Sequence, residues 1–326
     1  MSNKKKIVVM MGGESHEHDI SLMSGAAVVK NLDGEKYDAA EVVVGRDGKF
    51  VFKTGEKRSE PLSLAGMVKT IENFAPDCVF IAMHGVYGED GRMQALFDLM
   101  HVPYVGADIF GSAVAMDKIF AKSVYAANGL KTPAAVVISS DEYERDPEGE
   151  IKKIPLFPAV MKSPKLGSSY GVEIVREKGE VACALEELFK IEKRVLVEEY
   201  IKGIELTCPV VNNPGPIALP VIEIVPKKHE FFSLEAKYDP EVTDEICPAR
   251  IDESLRKLAQ DYAVKAHEAL CLKGLSRSDF IWDGSRLYIL ETNTIPGLTE
   301  YSLLPKSAAV HGWSFSELLD VLIENA

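Results

Sequence analysis

Residues 7–11 form an apolar run that ends in Gly12-Gly13, and a helical pattern follows over residues 20–32. The run has the length of a buried strand, and the glycines turn the chain away from its carboxyl end. The unit then recurs. Residues 38–44 read as a second strand and residues 78–83 as a third, ending in His84-Gly85. Residues 91–100 read as a helix and residues 102–105 as a short strand. Strands that alternate with helices need crossover connections, which indicates a parallel α/β sheet. Ligands of such sheets sit beyond the carboxyl ends of the strands. Glu17 and His84 both follow strand ends, so both are placed for function. Glu17 fits equally well in the first turn of a helix, where a carboxylate suits the dipole.

The pattern changes twice further on. Residues 117–127 read as a helix closed by Asn128-Gly129, with Pro133 beyond it. Residues 139–153 read as a loop with a short helix. A strand at 158–162, a loop at 163–171, a return strand at 172–176, a helix at 179–190 and a strand at 194–199 make a small α+β unit. From about residue 205, strands at 206–211 and 217–225 flank the turn Asn212-Asn213-Pro214-Gly215. Residues 226–250 are irregular and polar, the length of a lid or binding loop. A long amphipathic helix at 253–270 precedes strands at 276–282 and 286–291, joined by Asp283-Gly284-Ser285. The last helix spans 314–325.

A chain of 326 residues suggests two or three domains and buries a large core without disulfides. Its net charge of −13 argues against a nucleic-acid partner, which needs a positive footprint. A few converging lysines can still hold an anionic nucleotide. The five cysteines include no Cys-x-x-Cys, so neither a disulfide framework nor a zinc ribbon is expected. Lys4 to Lys6 precede too short an apolar run for a signal peptide, and no run is long enough to cross a bilayer. A cytoplasmic protein without a membrane partner is expected.

Four constellations carry chemistry. Lys162 ends a strand and leads into the Gly/Ser-rich segment Ser163 to Gly171. Glycines admit close backbone approach, and main-chain N–H groups with serine hydroxyls can cradle phosphate oxygens. The Walker A pattern is absent, as is Gly-x-Gly-x-x-Gly, and an ordinary flexible hairpin reads equally well. Arg277 and Asp279 alternate on one strand, Glu291 and Asn293 on another. With a three-residue loop at 283–285 all four share a face, and a two-residue loop splits them. Two carboxylates and an amide oxygen are hard donors suited to Mg²⁺ shared with phosphates. A salt-bridged hairpin is the plainer alternative. Glu235-Ala-Lys-Tyr238 lies in the long loop and is weak by itself. His16-Glu17-His18-Asp19 lacks the His-Glu-x-x-His spacing of a zinc helix. Together these parts suit ATP-driven activation of a small substrate.

The chain resembles the D-alanine–D-alanine ligases of the ATP-grasp superfamily over essentially its whole length. The marks are Gly12-Gly-x-Ser-x-Glu17-His-x-x-Ser21, His84-Gly-x-x-Gly-Glu-Asp-Gly91, Met116-Asp-Lys118, Gly167-Ser-Ser-x-Gly171, Glu235-Ala-Lys-Tyr238, Arg277-x-Asp279 and Glu291-x-Asn-Thr-x-Pro-Gly297. Each is weak alone, and their order and spacing together are specific.

The resemblance implies a mixed α/β and α+β fold of three domains. These are an N-terminal parallel α/β (pre-ATP-grasp) domain at residues 1–106, a central ATP-grasp subdomain at 107–204 and a C-terminal subdomain at 205–326 with the long loop and the Mg²⁺ site. It implies ATP-dependent joining of two D-alanines through D-alanyl phosphate, for peptidoglycan synthesis. Lys118, Lys162, Ser169, Glu198, Glu199, Ile201, Glu205 and Lys237 would bind ATP. Asp279, Glu291 and Asn293 would hold two Mg²⁺ ions, with Mn²⁺ able to replace them. Glu17 would bind the first substrate's ammonium, with His84 beside it. Arg277 and a backbone N–H near Gly297 would stabilise the oxyanion. Ser302 and Leu303 would receive the second substrate. Ser168, Tyr238 and Glu17 would latch the long loop, and a homodimer is implied. Departures from the family pattern stand at Ser163, Ser278 and Phe232. A related ligase using D-lactate or D-serine as second substrate is the alternative. Lys237-Tyr238 resembles the dipeptide-forming enzymes.

Overall fold

The computed structural model describes residues 4–167, 170–227 and 243–326. Three sheets organise it. The first contains β1 (Lys5–Gly12), β2 (Tyr37–Val44), β3 (Phe50–Thr54), β4 (Lys57–Arg58), β5 (Cys78–Ile81) and β6 (Tyr104–Val105), in the order β4-β3-β2-β1-β5-β6. β1 is buried from Ile7 onward because it lies between β2 and β5, which explains its unbroken apolar run. Strands β2, β1, β5 and β6 are parallel, as the alternation predicts. The sheet goes further than expected, because β3 and β4 extend its edge antiparallel. Helices α1 (His18–Asn31), α2 (Leu64–Phe74) and α3 (Arg92–Met100) make the crossovers. Gly12 has φ +86°, and a Cβ there would meet the Val44 carbonyl oxygen at 2.3 Å. Only glycine permits this turn off β1 toward the site.

Two helices, α4 (Ile109–Met116) and α5 (Lys118–Ala127), lead to the second sheet. That sheet contains β7 (Ala135–Ser139), β8 (Ala159–Lys162), β9 (Val172–Val175) and β10 (Arg194–Glu199), in the order β7-β10-β8-β9. All of its pairings are antiparallel. Helices α6 (Ser140–Arg145), α7 (Pro147–Lys152) and α8 (Val181–Phe189) belong to it. Its buried core runs from Ile138 to Val197 and draws on no other sheet.

The third sheet holds β11 (Ile204–Asn212), β12 (Pro216–Ala218), β13 (Ile222–Pro226), β14 (Thr243–Ile246), β15 (Leu275–Trp282) and β16 (Leu287–Asn293). Strand β14 falls inside the segment read as irregular. Helix α9 (Glu253–Ala269) packs on this sheet through Leu255, Ala259, Ala263 and Ala266, together with Tyr125 of α5. The chain ends in α10 (Leu303–His311) and α11 (Phe315–Glu324). These return to the first sheet: Leu304, Leu318 and Leu322 share one buried cluster with Ile7, Val9 and Val28. The first and third sheets are therefore bound by a common apolar core.

Candidate active site

Strand β15 pairs with β16 around the turn 283–286, with Trp282 opposite Leu287. A four-residue turn alone would put Leu290 opposite Asp279 and turn Glu291 and Asn293 to the other face. The register shifts beside Asp279: Phe280 pairs with Ile289, whereas Asp279 pairs with Glu291 and Arg277 with Asn293. Leu290 is thus bulged out, and a bulge re-aims side chains. The expected four-residue face exists, and the bulge produces it in place of an odd-length loop.

On that face Arg277 holds Asp279 in a two-pronged pair, Nε to Oδ1 at 2.9 Å and a terminal nitrogen to Oδ2 at 2.8 Å. Thr207 Oγ1 donates to Asp279 Oδ1 at 2.6 Å and Asn293 Nδ2 to Oδ2 at 3.3 Å. Lys118 Nζ lies 3.0 Å from Glu291 Oε2 and donates to the Leu166 carbonyl at 2.9 Å. Each carboxylate therefore already faces a cation. Two carboxylates and an amide fit a hard divalent ion that takes its remaining oxygens from phosphate. Among the described residues no cluster of three or more His, Cys, Asp or Glu is placed to hold a metal. His18 Nδ1 bonds the Gly13 carbonyl at 2.6 Å, and His16 stacks on Tyr170.

Residues from both ends of the chain meet in a cleft of about 830 Å³. Glu17, His84, Arg277, Asn293, Gly297, Ser302 and Leu303, all expected from sequence, line it. Glu17 is 7% exposed and sits below Gly85, where a Cβ would lie 2.7 Å from its Oε2. Gly167 approaches the same carboxylate, so it reaches the residues that follow β1. Ser302 Oγ accepts the Thr299 N–H at 3.0 Å at the start of α10. Ser168, Ser169, Lys237 and Tyr238, and the departure at Phe232, lie outside the described residues.

His84 has both ring nitrogens engaged within the protein. Nε2 meets Ser24 Oγ at 2.8 Å and Nδ1 meets the Ile295 carbonyl oxygen at 3.0 Å. The carbonyl can only accept, so Nδ1 carries the proton. Burial pushes the imidazole below its ordinary value, against the charge of Glu17. Glu89 completes the grip by accepting the Ile295 N–H at 3.2 Å and the Gly85 N–H at 2.7 Å. Burial first, and then the charge of Glu17, push the Glu89 carboxyl up to about 8. His84 and Glu89, which follow β5, thus hold both ends of residue 295, two positions before Gly297. Glu89 lies within the motif His84 to Gly91, and its role emerges only from these contacts.

A second cluster is built on Lys162 and Glu198. Lys162 Nζ lies 2.5 Å from Glu198 Oε2. Glu199 accepts the Ala134 N–H at 2.8 Å, Ile201 follows half-buried, and Glu205 stands on β11 opposite Ile224. Lys122, missed in the sequence, completes the cluster on Glu198 Oε1. It stands four residues after Lys118 on one helix, a spacing that marks a shared face.

Comparison with known proteins decides the family. Residues 6–107 match the family described as D-ala D-ala ligase N-terminus, and residues 124–324 the one described as D-ala D-ala ligase C-terminus. The chain belongs to the D-alanine–D-alanine ligase family. The D-alanine–D-alanine ligase of Syntrophobacter fumaroxidans is 41% identical over 100% of this chain and 99% of its own length. That of Carboxydothermus hydrogenoformans is 37% identical over 98% and 97%. Among solved structures, the VanG D-Ala:D-Ser ligase from Enterococcus faecalis has a TM-score of 0.83 at 32% identity, covering 99% of each chain. The D-alanine–D-alanine ligase from Bacillus anthracis complexed with ATP has a TM-score of 0.78 at 31% identity, covering 99% of this chain and 97% of its own. The fold is accordingly that of an ATP-grasp ligase of this family.

Proposed function

We propose that the protein joins two D-alanines, with ATP cleaved to ADP and phosphate, to supply the D-alanyl-D-alanine of peptidoglycan. The observation that carries this reading is the single cleft lined by Glu17, Arg277, Asn293, Gly297 and Ser302. It gathers the residues to which this reading gives ammonium binding, oxyanion donation and second-substrate binding.

Glu17 binds the ammonium of the first D-alanine and leaves its carboxylate to attack the γ-phosphate. The second D-alanine, received by Ser302 and Leu303, attacks the resulting D-alanyl phosphate through its amine. A tetrahedral intermediate forms and phosphate leaves. Arg277 and the Gly297 N–H donate to the oxyanion, and the residue 295 grip keeps that N–H in place. The chemistry is chiefly positioning and charge stabilisation in a site closed to water. On this reading Ser168, Tyr238 and Glu17 would latch the long loop, as the family resemblance implies.

ATP lies with its phosphates toward Lys118, Lys162, Ser169 and Lys237, its adenine along Glu198, Glu199 and Ile201, and its ribose at Glu205. Asp279, Glu291 and Asn293 would hold Mg²⁺, which screens the phosphate charge when bound. We read residues 1–106, 107–204 and 205–326 as the three domains of a cytoplasmic homodimer. No helix among the described residues is long and apolar enough to cross a membrane.

D-Serine as second substrate is the other reading, supported by the likeness to the D-Ala:D-Ser ligase. The higher identity to enzymes named for D-alanine favours the dipeptide. Phosphate release with ATP, Mg²⁺ and D-alanine alone, with the product identified by mass, tests this. D-Alanyl-D-alanine is the expected product. Turnover only when D-serine or D-lactate is added would move the second substrate, and no turnover with any pair would overturn the reading.

A further inference from the structure

Helix α5 carries two buried lysines one turn apart, Lys118 and Lys122. Lys118 faces Glu291. Lys122 turns instead to the second sheet and spends its three protons there. Its Nζ donates to Glu198 Oε1 at 2.5 Å, Thr132 Oγ1 at 2.6 Å and the Pro133 carbonyl at 2.8 Å. Lys162 takes the other oxygen of Glu198 from the end of β8. The side chains are 10% (Lys122), 9% (Lys162) and 2% (Glu198) exposed.

The three charges form a nearly dry cluster. Burial pushes Glu198 up, but Lys162 and Lys122 more than offset it and hold the carboxyl below its ordinary value. Two basic groups thus face one carboxyl, although burial also pushes Lys122 below its ordinary value, with Glu198 opposing. A lone Lys162–Glu198 pair would be self-neutralising and would present little field to an anion. The second cation changes that sum, in surroundings where water screens weakly. Lys122 also occupies Oε1, so the carboxylate cannot rotate away from Lys162. The chain as a whole carries a charge of −13, so any attraction for a polyphosphate has to be local.

We propose that Lys122 is a positioning residue for the nucleotide: by neutralising Glu198 it leaves the charge of Lys162 available to the polyphosphate. The inference rests on the reading above that ATP phosphates meet Lys162. Lys122 touches no substrate in this account. Its effect is electrostatic and depends on the charge of the ligand.

The test is calorimetric titration of the full-length protein with ATP plus Mg²⁺, and separately with adenosine. Lys122→Met should weaken ATP by on the order of tenfold and leave adenosine within about twofold. KM for ATP should rise with that loss, while KM for D-alanine stays unchanged. Lys122→Gln keeps a polar side chain without the charge, and should read the same if methionine disturbs the fold. Lys122→Arg keeps the charge and should retain ATP affinity. Unchanged ATP affinity in both neutral variants, or equal losses for ATP and adenosine, would overturn the proposal. Lys162→Met separates the two readings. If it leaves ATP affinity intact, the nucleotide assignment fails. If it weakens ATP while the Lys122 variants do not, only the role of Lys122 fails.

Discussion

Asp279 stands opposite Glu291 because Leu290 is bulged out of the β15–β16 ladder. The two carboxylates converge with Asn293 from neighbouring strands, and Lys118 already lies against Glu291. Glu291→Gln keeps the size and loses the charge. Turnover should fall on the order of 100-fold, with the fold intact, because several kcal/mol of charge stabilisation depend on the bound ion. Steady-state kinetics across a Mg²⁺ series, with circular dichroism of the variant, would check this. Near-normal turnover would remove Glu291 from the metal set.

Arg277 grips Asp279 through two nitrogens while lining the cleft. Lysine offers one point charge and cannot do both. Arg277→Lys should lower kcat by roughly 10²–10³, the loss typical of an oxyanion donor. KM for ATP should change far less. A loss confined to KM would contradict the oxyanion role.

Glu89 gives a pH signature. Its folded carboxyl is raised from 4.5 to about 8, chiefly by burial and then by Glu17. The folded state therefore holds a proton that the unfolded state has released between those values. The stability that this proton contributes is fully present below about 4.5 and is lost as pH rises through about 8. Thermal midpoints should fall over that window. Glu89→Gln should flatten the fall. It should also lower stability by about 1–3 kcal/mol, since an amide N–H would face a backbone N–H. An unchanged slope in the variant would show that other groups set it.

Ser278 departs from the family pattern, and the structure supplies its reason. Its Oγ lies 2.9 Å from Thr292 Oγ1, which accepts the buried Tyr125 hydroxyl at 2.8 Å. Ser278→Val should cost about 1–3 kcal/mol by breaking this chain of hydroxyls, measured by denaturant unfolding. Ser163, the departure after Lys162, is 2% exposed, and its hydroxyl has no hydrogen-bond partner among the described residues. It has no comparable network to account for it.

The parts of this fold legible in sequence were those with strong local patterns. Strand β1 announced itself because a central strand is apolar on both faces, and α9 because its buried positions recur with helical spacing. Helix α4 escaped notice, since Ile109 to Met116 is apolar nearly all round and contains Gly111. Helix α10 escaped because Pro305 reads as a breaker, although a first-turn proline needs no N–H partner. The short edge strands β3 and β4 were missed, as was β14 within a polar stretch. In the site, the identities of Arg277, Asp279, Glu291 and Asn293 were readable. Their common face was not, because it depends on a bulge that no residue at Leu290 advertises. Lys122 and Glu89 act on partners 76 and 206 residues away, and only the folded chain makes those contacts visible.

The three sheets are joined in two different ways. The first and third sheets are fused by apolar contacts, with Leu304 and Leu322 packed among Ile7 and Val9. Separating them would expose a core. The second sheet keeps its own core and meets its neighbours through polar groups: Arg194 to Asp117 at 2.8 Å, Lys122 to Glu198, and Lys118 to the Leu166 carbonyl. Among the described residues, the second sheet's boundary is therefore marked by polar contacts, and that between the first and third sheets by apolar ones. The second sheet is thus joined to the rest by ion pairs and hydrogen bonds, where the first and third sheets share a core.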